Sequence, residues 1–286
     1  MERITSRQNA IVKRFRDLAR TSRAVANDAT VKGGHAIDVL LDGEHLVQEA
    51  LLCDIRIEIA AFSDKQLANV LSPVARIAKD VKKRGGRVLA VTDQVLAAMS
   101  PVQQPSGVVA IAKARPADVR VVLTTVSDLP LVLILAGLQD PGNVGAIVRA
   151  AAGFGASGIV AIEGSANPFS WKALRGAMGG TFRIPVAARG TLADVMSAAR
   201  EERVRIVAAV PRGGTPLPDL DLREPTALVL GSEGSGISEP VMATVQATVT
   251  IPMQAPVESF NVAMAAAVIL YEAARQRRPA PARAKR

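Results

Sequence analysis

Several side chains that many functions depend on are scarce in this chain. One cysteine, Cys53, among 286 residues excludes an internal disulfide and points to a reducing compartment. It lies in EALLCDIRIE, between apolar neighbours at the end of a helical pattern, where core packing suits a thiol better than catalysis. The two histidines, His35 and His45, cannot build a convincing metal site with one cysteine, so no metal is expected. Aromatic residues make up 3%, so stacking of bases along a row of rings is not the expected mode of binding. The N-terminus is charged and lacks a signal-peptide core, and the longest apolar runs, LVLILAGL and VAMAAAVILY, are too short to span a bilayer. The expected compartment is the cytoplasm, with no membrane partner.

What the chain does have is the balance of a folded protein, 49% hydrophobic and 21% charged, with length for two domains. Thirty-five Lys and Arg stand against 26 Asp and Glu, a formal charge of +9. That surplus favours a polyanionic partner such as RNA, because releasing phosphate counterions drives sequence-independent affinity.

Residues 1–20 repeat apolar positions at helical spacing, with Ile11, Phe15 and Leu18 on one face. Lys13, Arg14, Arg16 and Arg20 on this helix are candidate phosphate contacts, although such a face is more often only solvated. From Ala36 to about Ala114, short apolar strands alternate with amphipathic helices, the pattern of an α/β sandwich. Two prolines in RPADVRVVLTTVSDLP mark a linker near 115–128, which separates an N-terminal domain, 1–118, from a second, 128–278. In the second domain LVLILAG reads as a parallel strand covered on both faces. SGIVAIE, FRIPVA, VRIVAAV, TALVLG and ATVTIPM read as further strands, with helices between. A long helix from SFNVAM onward closes the domain, and a basic, proline-rich tail, 279–286, is expected to be disordered. The closing helix is apolar nearly all round, which suits burial or a subunit interface.

Three loops follow three of these strands: DPGNVGAIVR (140–149), GSEGSGIS (231–238) and IPMQAPVESFN (251–261). Ligands of open α/β sheets bind outside the carboxyl ends of strands, so these loops are the candidate site. Gly153, Gly155 and Gly158 match G-x-G-x-x-G but end a helix and precede a strand, the reverse of a dinucleotide site. A helix C-cap and tight turn explain them.

The three loops resemble the motifs of the SpoU (TrmH) family of RNA ribose 2′-O-methyltransferases. Motif one is N-x-G-x-x-x-R, here Asn143, Gly145 and Arg149; motif two is G-x-E-x-x-G, here Gly231, Glu233 and Gly236. Motif three is I-P-M followed by E-S-x-N-V, here Ile251–Met253 and Glu258–Val262. LLDGEHLVQEAL and PSGVVAIAK resemble the family's smaller N-terminal α/β domain, ribosomal-protein-L30-like, which binds substrate. The family commonly has Leu where Phe260 stands and a serine near Ala177, in a segment that faces RNA.

The resemblance implies a C-terminal trefoil-knotted parallel-sheet domain of the SPOUT type and S-adenosylmethionine as methyl donor. The implied reaction is methyl transfer to a ribose 2′-hydroxyl in RNA, 23S ribosomal RNA before transfer RNA. Gly231, Ile251 and Phe260 are then expected to meet the donor through backbone groups, with Leu230, Gly236, Met253 and Asn261 beside it. Glycine at 231 would let the ligand approach closely. Arg149 is assigned to the reacting hydroxyl, as base or as clamp on the adjoining phosphate. The clamp is preferred, because a guanidinium stays protonated. Asn143 fixes loop or substrate geometry, or is an ordinary N-cap. Glu233 orients Arg149 or the ribose, and Ser259 and Asn261 begin the last helix, where they cap it and face the site. Lys172 and Arg175 are implied RNA contacts, and a homodimer packed through the knotted domain is implied as well. The competing reading is a non-catalytic RNA-binding or ribosome-assembly protein, whose mark would be decay of Asn143, Arg149, Glu233 or Asn261. All four are present.

Overall fold

The computed structural model describes residues 1–21, 34–124 and 129–278. The expected tail, 279–286, and part of the expected linker lie outside the described residues.

The N-terminal half is built on a five-stranded mixed sheet in the order β1-β4-β3-β5-β2. Its strands are β1 (Glu2–Ile4), β2 (Ile37–Asp42), β3 (Arg56–Ser63), β4 (Arg87–Val91) and β5 (Val108–Ala114). Helix α1 (Ala10–Thr21) buries Val12 and Phe15 against one face, beside α5 (Asp93–Met99). The other face carries α2 (Glu44–Leu52) and α4 (Pro73–Lys83), with the short α3 (Asp64–Ala68) between β3 and α4. Ser72 and Thr92 cap α4 and α5 through side chains that accept an amide N–H in the first turn.

The C-terminal half is a seven-stranded sheet in the order β10-β12-β9-β11-β6-β7-β8, and every pair in it is parallel. The strands are β6 (Leu131–Ala136), β7 (Gly158–Ile162), β8 (Val186–Gly190), β9 (Arg205–Ala209), β10 (Thr215–Pro216), β11 (Thr226–Gly231) and β12 (Ala247–Thr250). Strand β6 shows why its run is apolar throughout. Leu131, Leu133 and Leu135 enter one core, and Val132, Ile134 and Ala136 enter the core on the opposite face. The first face is covered by α7 (Pro141–Gly153), α8 (Trp171–Ala177) and α11 (Val262–Arg277). The second is covered by α6 (Val119–Leu123) and α9 (Leu192–Glu201), with the short α10 (Glu239–Met242) at its margin. The first of these cores runs on without a break into the α2–α4 side of the N-terminal sheet. Arg277, at the end of α11, donates to the carbonyls of Leu222, Leu129, Pro130 and Glu224, which ties that helix to the segments entering β6 and β11.

Four sequence expectations need correction. The stretch read as linker contains α6, capped by Asp118, because Val119, Val122 and Leu123 are buried against the second core. FRIPVA is not one strand: residues 180–182 form a 3-10 turn, and the strand starts only at Val186, after Pro185, which has no N–H for the ladder. The strand in ATVTIPM stops at Thr250, and Ile251–Met253 continue as irregular chain. The closing helix begins at Val262 with Asn261 as N-cap, so Ser259 precedes it. Among the described residues no helix is long and apolar enough to cross a membrane.

Candidate active site

A cavity of about 660 Å³ opens at the carboxyl ends of β9, β11 and β12, within the range of roughly 300–1,000 Å³ usual for small-ligand pockets. The expected donor-binding residues Leu230, Gly231, Gly236, Ile251, Met253, Phe260 and Asn261 all line it, as do Glu233 and Ser259. These residues are far apart in sequence and meet because parallel strands end on one edge.

The loop after β11 is closed by its own backbone. Ser232 and Gly236 exchange two hydrogen bonds of 2.9 Å, with Gly236 at φ +69°. A Cβ on Gly231 would lie 2.6 Å from the Gly236 carbonyl and 2.5 Å from Ile237 Cγ1. Glycine at 231 is therefore required by the geometry of the loop itself.

Glu233 stands at the tip of this loop. Its Oε1 accepts from Asn143 Nδ2 at 2.6 Å and from Asn261 Nδ2 at 2.7 Å. Asn261 Nδ2 also reaches Asn143 Oδ1 at 3.2 Å, while its own Oδ1 accepts from the Ala263 amide at 2.9 Å and caps α11. One carboxylate thus fastens the three loops together. Glu233 was expected to orient Arg149 or the ribose; within one chain its side-chain bonds go to the two asparagines. Asn143 is not an N-cap: Asp140 holds that position, with Asn143 inside the first turn of α7.

Arg149 does not line the cavity. It lies six residues beyond Asn143, about 240° round the helix and about 9 Å along it, on the exposed side of α7. Gly145 serves packing: its Cβ would come within 2.3 Å of the Ala173 carbonyl and 2.9 Å of Gly176, so α7 and α8 touch through backbone. Ala177 is only 1% exposed within that contact. It faces the protein interior. Lys172 and Arg175 are exposed on α8, away from the cavity; Lys172 lies over the Trp171 ring at 5.6 Å.

On α1, Lys13, Arg16 and Arg20 are exposed, but Arg14 is engaged. Its guanidinium donates to Glu58 at 2.7 Å and to Asp38 at 2.9 Å, and Lys113 bonds Asp38 at 2.5 Å. The bond from Arg14 holds the Glu58 carboxyl below its ordinary value. Burial pushes Asp38 the other way, but Lys113 and Arg14 outweigh it and hold that carboxyl low as well. Arg14 is therefore neutralised within the fold, contrary to its expected place on RNA.

Sequence reasoning missed Val210 and Pro211, which line the cavity from the loop after β9. Their signal was positional: they follow a strand whose end lies on the same edge. Arg212 in this loop pairs with Glu258 at 2.7 Å and so joins it to the third motif. Among the described residues no group of three His, Cys, Asp or Glu stands close enough to hold a metal ion.

A parallel α/β sheet with an apolar cavity at its strand ends, stapled by Asn143, Glu233 and Asn261, defines a protein that holds a small ligand at the edge of its sheet. Comparison with known proteins says which. The model of the SpoU rRNA Methylase family matches residues 130–271, and that for RNA 2′-O ribose methyltransferase substrate binding matches 40–117. The chain is 32% identical over 279 residues to an uncharacterized tRNA/rRNA methyltransferase of Synechocystis sp., covering 96% of this chain and 93% of that protein. It is 28% identical over 232 residues to the 23S rRNA (guanosine(2553)-2′-O)-methyltransferase RlmP of Bacillus subtilis, covering 81% and 86% of the two chains. The AdoMet-bound rRNA methyltransferase of Sinorhizobium meliloti superposes with a TM-score of 0.80 at 29% identity, over 96% and 97% of the two chains. The chain belongs to the SpoU rRNA methylase family. It is an S-adenosylmethionine-dependent RNA ribose 2′-O-methyltransferase of the SPOUT fold.

Proposed function

We propose that the RNA is ribosomal, 23S in particular, and that the staple of Asn143, Glu233 and Asn261 at the cavity rim sets the geometry of methyl transfer. That staple is the observation that carries the reading, because it joins all three motif loops at one carboxylate. The cavity fits the donor: Leu230, Ile251, Met253 and Phe260 supply apolar wall, and the irregular chain at 251–261 leaves backbone groups free for polar contacts.

S-adenosylmethionine supplies a methyl group already activated on a sulfonium centre. Orientation is then the main task left to the protein. Leu230, Gly231, Gly236, Ile251, Met253 and Phe260 hold the donor, and Ser259 and Asn261 face the reacting groups. Arg149 clamps the phosphate next to the acceptor ribose, because its fork matches phosphate oxygens and it does not readily give up a proton.

The distance of Arg149 from its own cavity supports a homodimer. Met264, Val268 and Tyr271 of α11 are 57%, 40% and 51% exposed, an apolar stripe too large for a wet helix face. The stripe adjoins α7, with Tyr271 edge-on to Phe154 at 6.0 Å. A second copy packed there completes the site with its own Arg149. The same reading takes residues 128–278 as the catalytic domain, threaded as a trefoil knot, residues 1–118 as the substrate-binding domain, and the cytoplasm as the place of action.

The test is transfer of labelled methyl from S-adenosylmethionine to ribosomal RNA, run beside Arg149→Ala. Label should enter ribose with the wild type and fall on the order of 100-fold in the variant, while donor affinity holds. Donor binding without label in undermodified RNA would favour the non-catalytic reading. Sedimentation as a monomer at micromolar concentration would defeat the dimer.

A further inference from the structure

A second cavity, of about 670 Å³, lies between the two sheets and shares no lining residue with the first. Arg56, Lys113 and Arg115 stand on its N-terminal side, and residues 181–186, Arg183 included, form the opposite wall. Arg56 and Lys113 are cross-strand partners in β3 and β5, and Arg115 follows just past the end of β5. Lys113 is matched by Asp38, Arg183 by Glu49, and the one acid of the cleft, Asp54, by Arg84, each at 2.5 Å. Arg56 and Arg115 are exposed, and their side chains make no hydrogen bond or ion pair among the described residues. Thr181, only 5% exposed, lines the same cleft, and its hydroxyl has no partner. A buried hydroxyl is normally satisfied, so an orphan beside two unmatched guanidinium groups is a donor set lacking its acceptor.

We propose that Arg56, Arg115 and Thr181 form a phosphodiester-binding subsite for the RNA strand flanking the methylated nucleotide. The wall supplied by residues 181–186 continues into Gly180, where a Cβ would lie 3.3 Å from the Arg149 Cα. The subsite therefore borders the helix that carries Arg149. Guanidinium forks suit phosphate oxygens, and the floor of the cleft, with Ile55 and Phe169, is apolar enough to strengthen such bonds. Its RNA occupant rests on the methyltransferase reading, and it adds a backbone contact in this cleft to the exposed Lys13, Arg16 and Arg20 of α1, where Arg14 is already paired within the fold.

The test compares Arg56→Glu/Arg115→Glu with Arg76→Glu/Lys83→Glu, a double variant of equal charge change on α4. Retention of a 23S ribosomal RNA transcript on filters is titrated with salt, beside thermal melting and calorimetric donor affinity. The cleft variant should bind RNA at least tenfold more weakly, with a log–log salt slope shallower by about two, and with donor affinity and melting unchanged. Thr181→Val should raise the KM for RNA several-fold and leave kcat in place. Unchanged affinity and slope in the cleft variant, or an equal loss in the α4 variant, would overturn the subsite. Because retention is read without turnover, a wild type that binds but transfers nothing counts against the methyltransferase reading instead.

Discussion

The N-terminal and C-terminal sheets each gather polar side chains from segments distant in sequence. On the N-terminal sheet, Arg14, Asp38, Glu58 and Lys113 meet through bonds of 2.5–2.9 Å, two cations against two carboxylates. On the C-terminal sheet, Asn143, Glu233 and Asn261 meet through bonds of 2.6–3.2 Å, with one carboxylate and no cation. The first cluster pairs its charges within itself and fastens α1 to the sheet edge. The second borders a cavity and leaves Glu233 Oε2 and the cavity's backbone groups available. Convergence of polar residues does not make a site; convergence beside an apolar cavity, with partners left over, does.

The comparison can be broken most decisively at Asn261. Asn261→Ala removes both the α11 cap and the bond to Glu233, so methyl transfer should fall on the order of 100-fold and stability by about 1 kcal/mol. Asn261→Asp keeps an N-cap but sets a second carboxylate against Glu233. Transfer measured with labelled donor should fall as far, with melting less affected, and full activity in Asn261→Asp would remove the staple from the proposed mechanism. Gly145→Val asks whether the first motif's glycine packs or binds. With a Cβ 2.3 Å from the Ala173 carbonyl, melting should drop by roughly 5–10 °C. A loss of donor affinity without a drop in melting would mean that it binds.

The N-terminal cluster should reveal itself through pH. Glu58 and Asp38 both have folded-state values held low, so the stability they add is complete above about pH 4.5 and drains away as pH falls through the lowered values. Melting followed from pH 6 to pH 3 should show that decline, and Glu58→Gln should flatten it. The smallest effect is expected from Arg14→Ala. Its side chain is 38% exposed and solvent-screened, so stability should fall by about 1 kcal/mol or less. RNA retention should stay near the wild type; a tenfold loss would return Arg14 to the RNA surface.

Much of the site was legible before any coordinates. Gly231, Glu233, Ile251, Met253, Phe260 and Asn261 stand in two loops that follow two apolar runs, and they line one cavity. The legibility has a cause: in a parallel sheet every strand enters from the same end, so loops that follow strands must share an edge. Arg149 was legible as a motif residue but not as a position, because helical phase turns it away from Asn143. Ala177 misled for a similar reason, since its place in a basic segment hid its burial against Gly145.

By itself the sequence determined the two α/β halves, the parallel character of the second and which loops gather at its strand ends. Those depend on local periodicity and on residue types whose chemistry is the same wherever they sit. Only the tertiary structure decided which partner each polar group took. It gave Glu233 to two asparagines and Arg14 to two carboxylates, and among the described residues it left the side chains of Arg56, Arg115 and Thr181 without partners. A hydrogen bond forms within about 3 Å and has no memory of separation along the chain. Packing, which brings residue 143 to residue 261, therefore makes that choice.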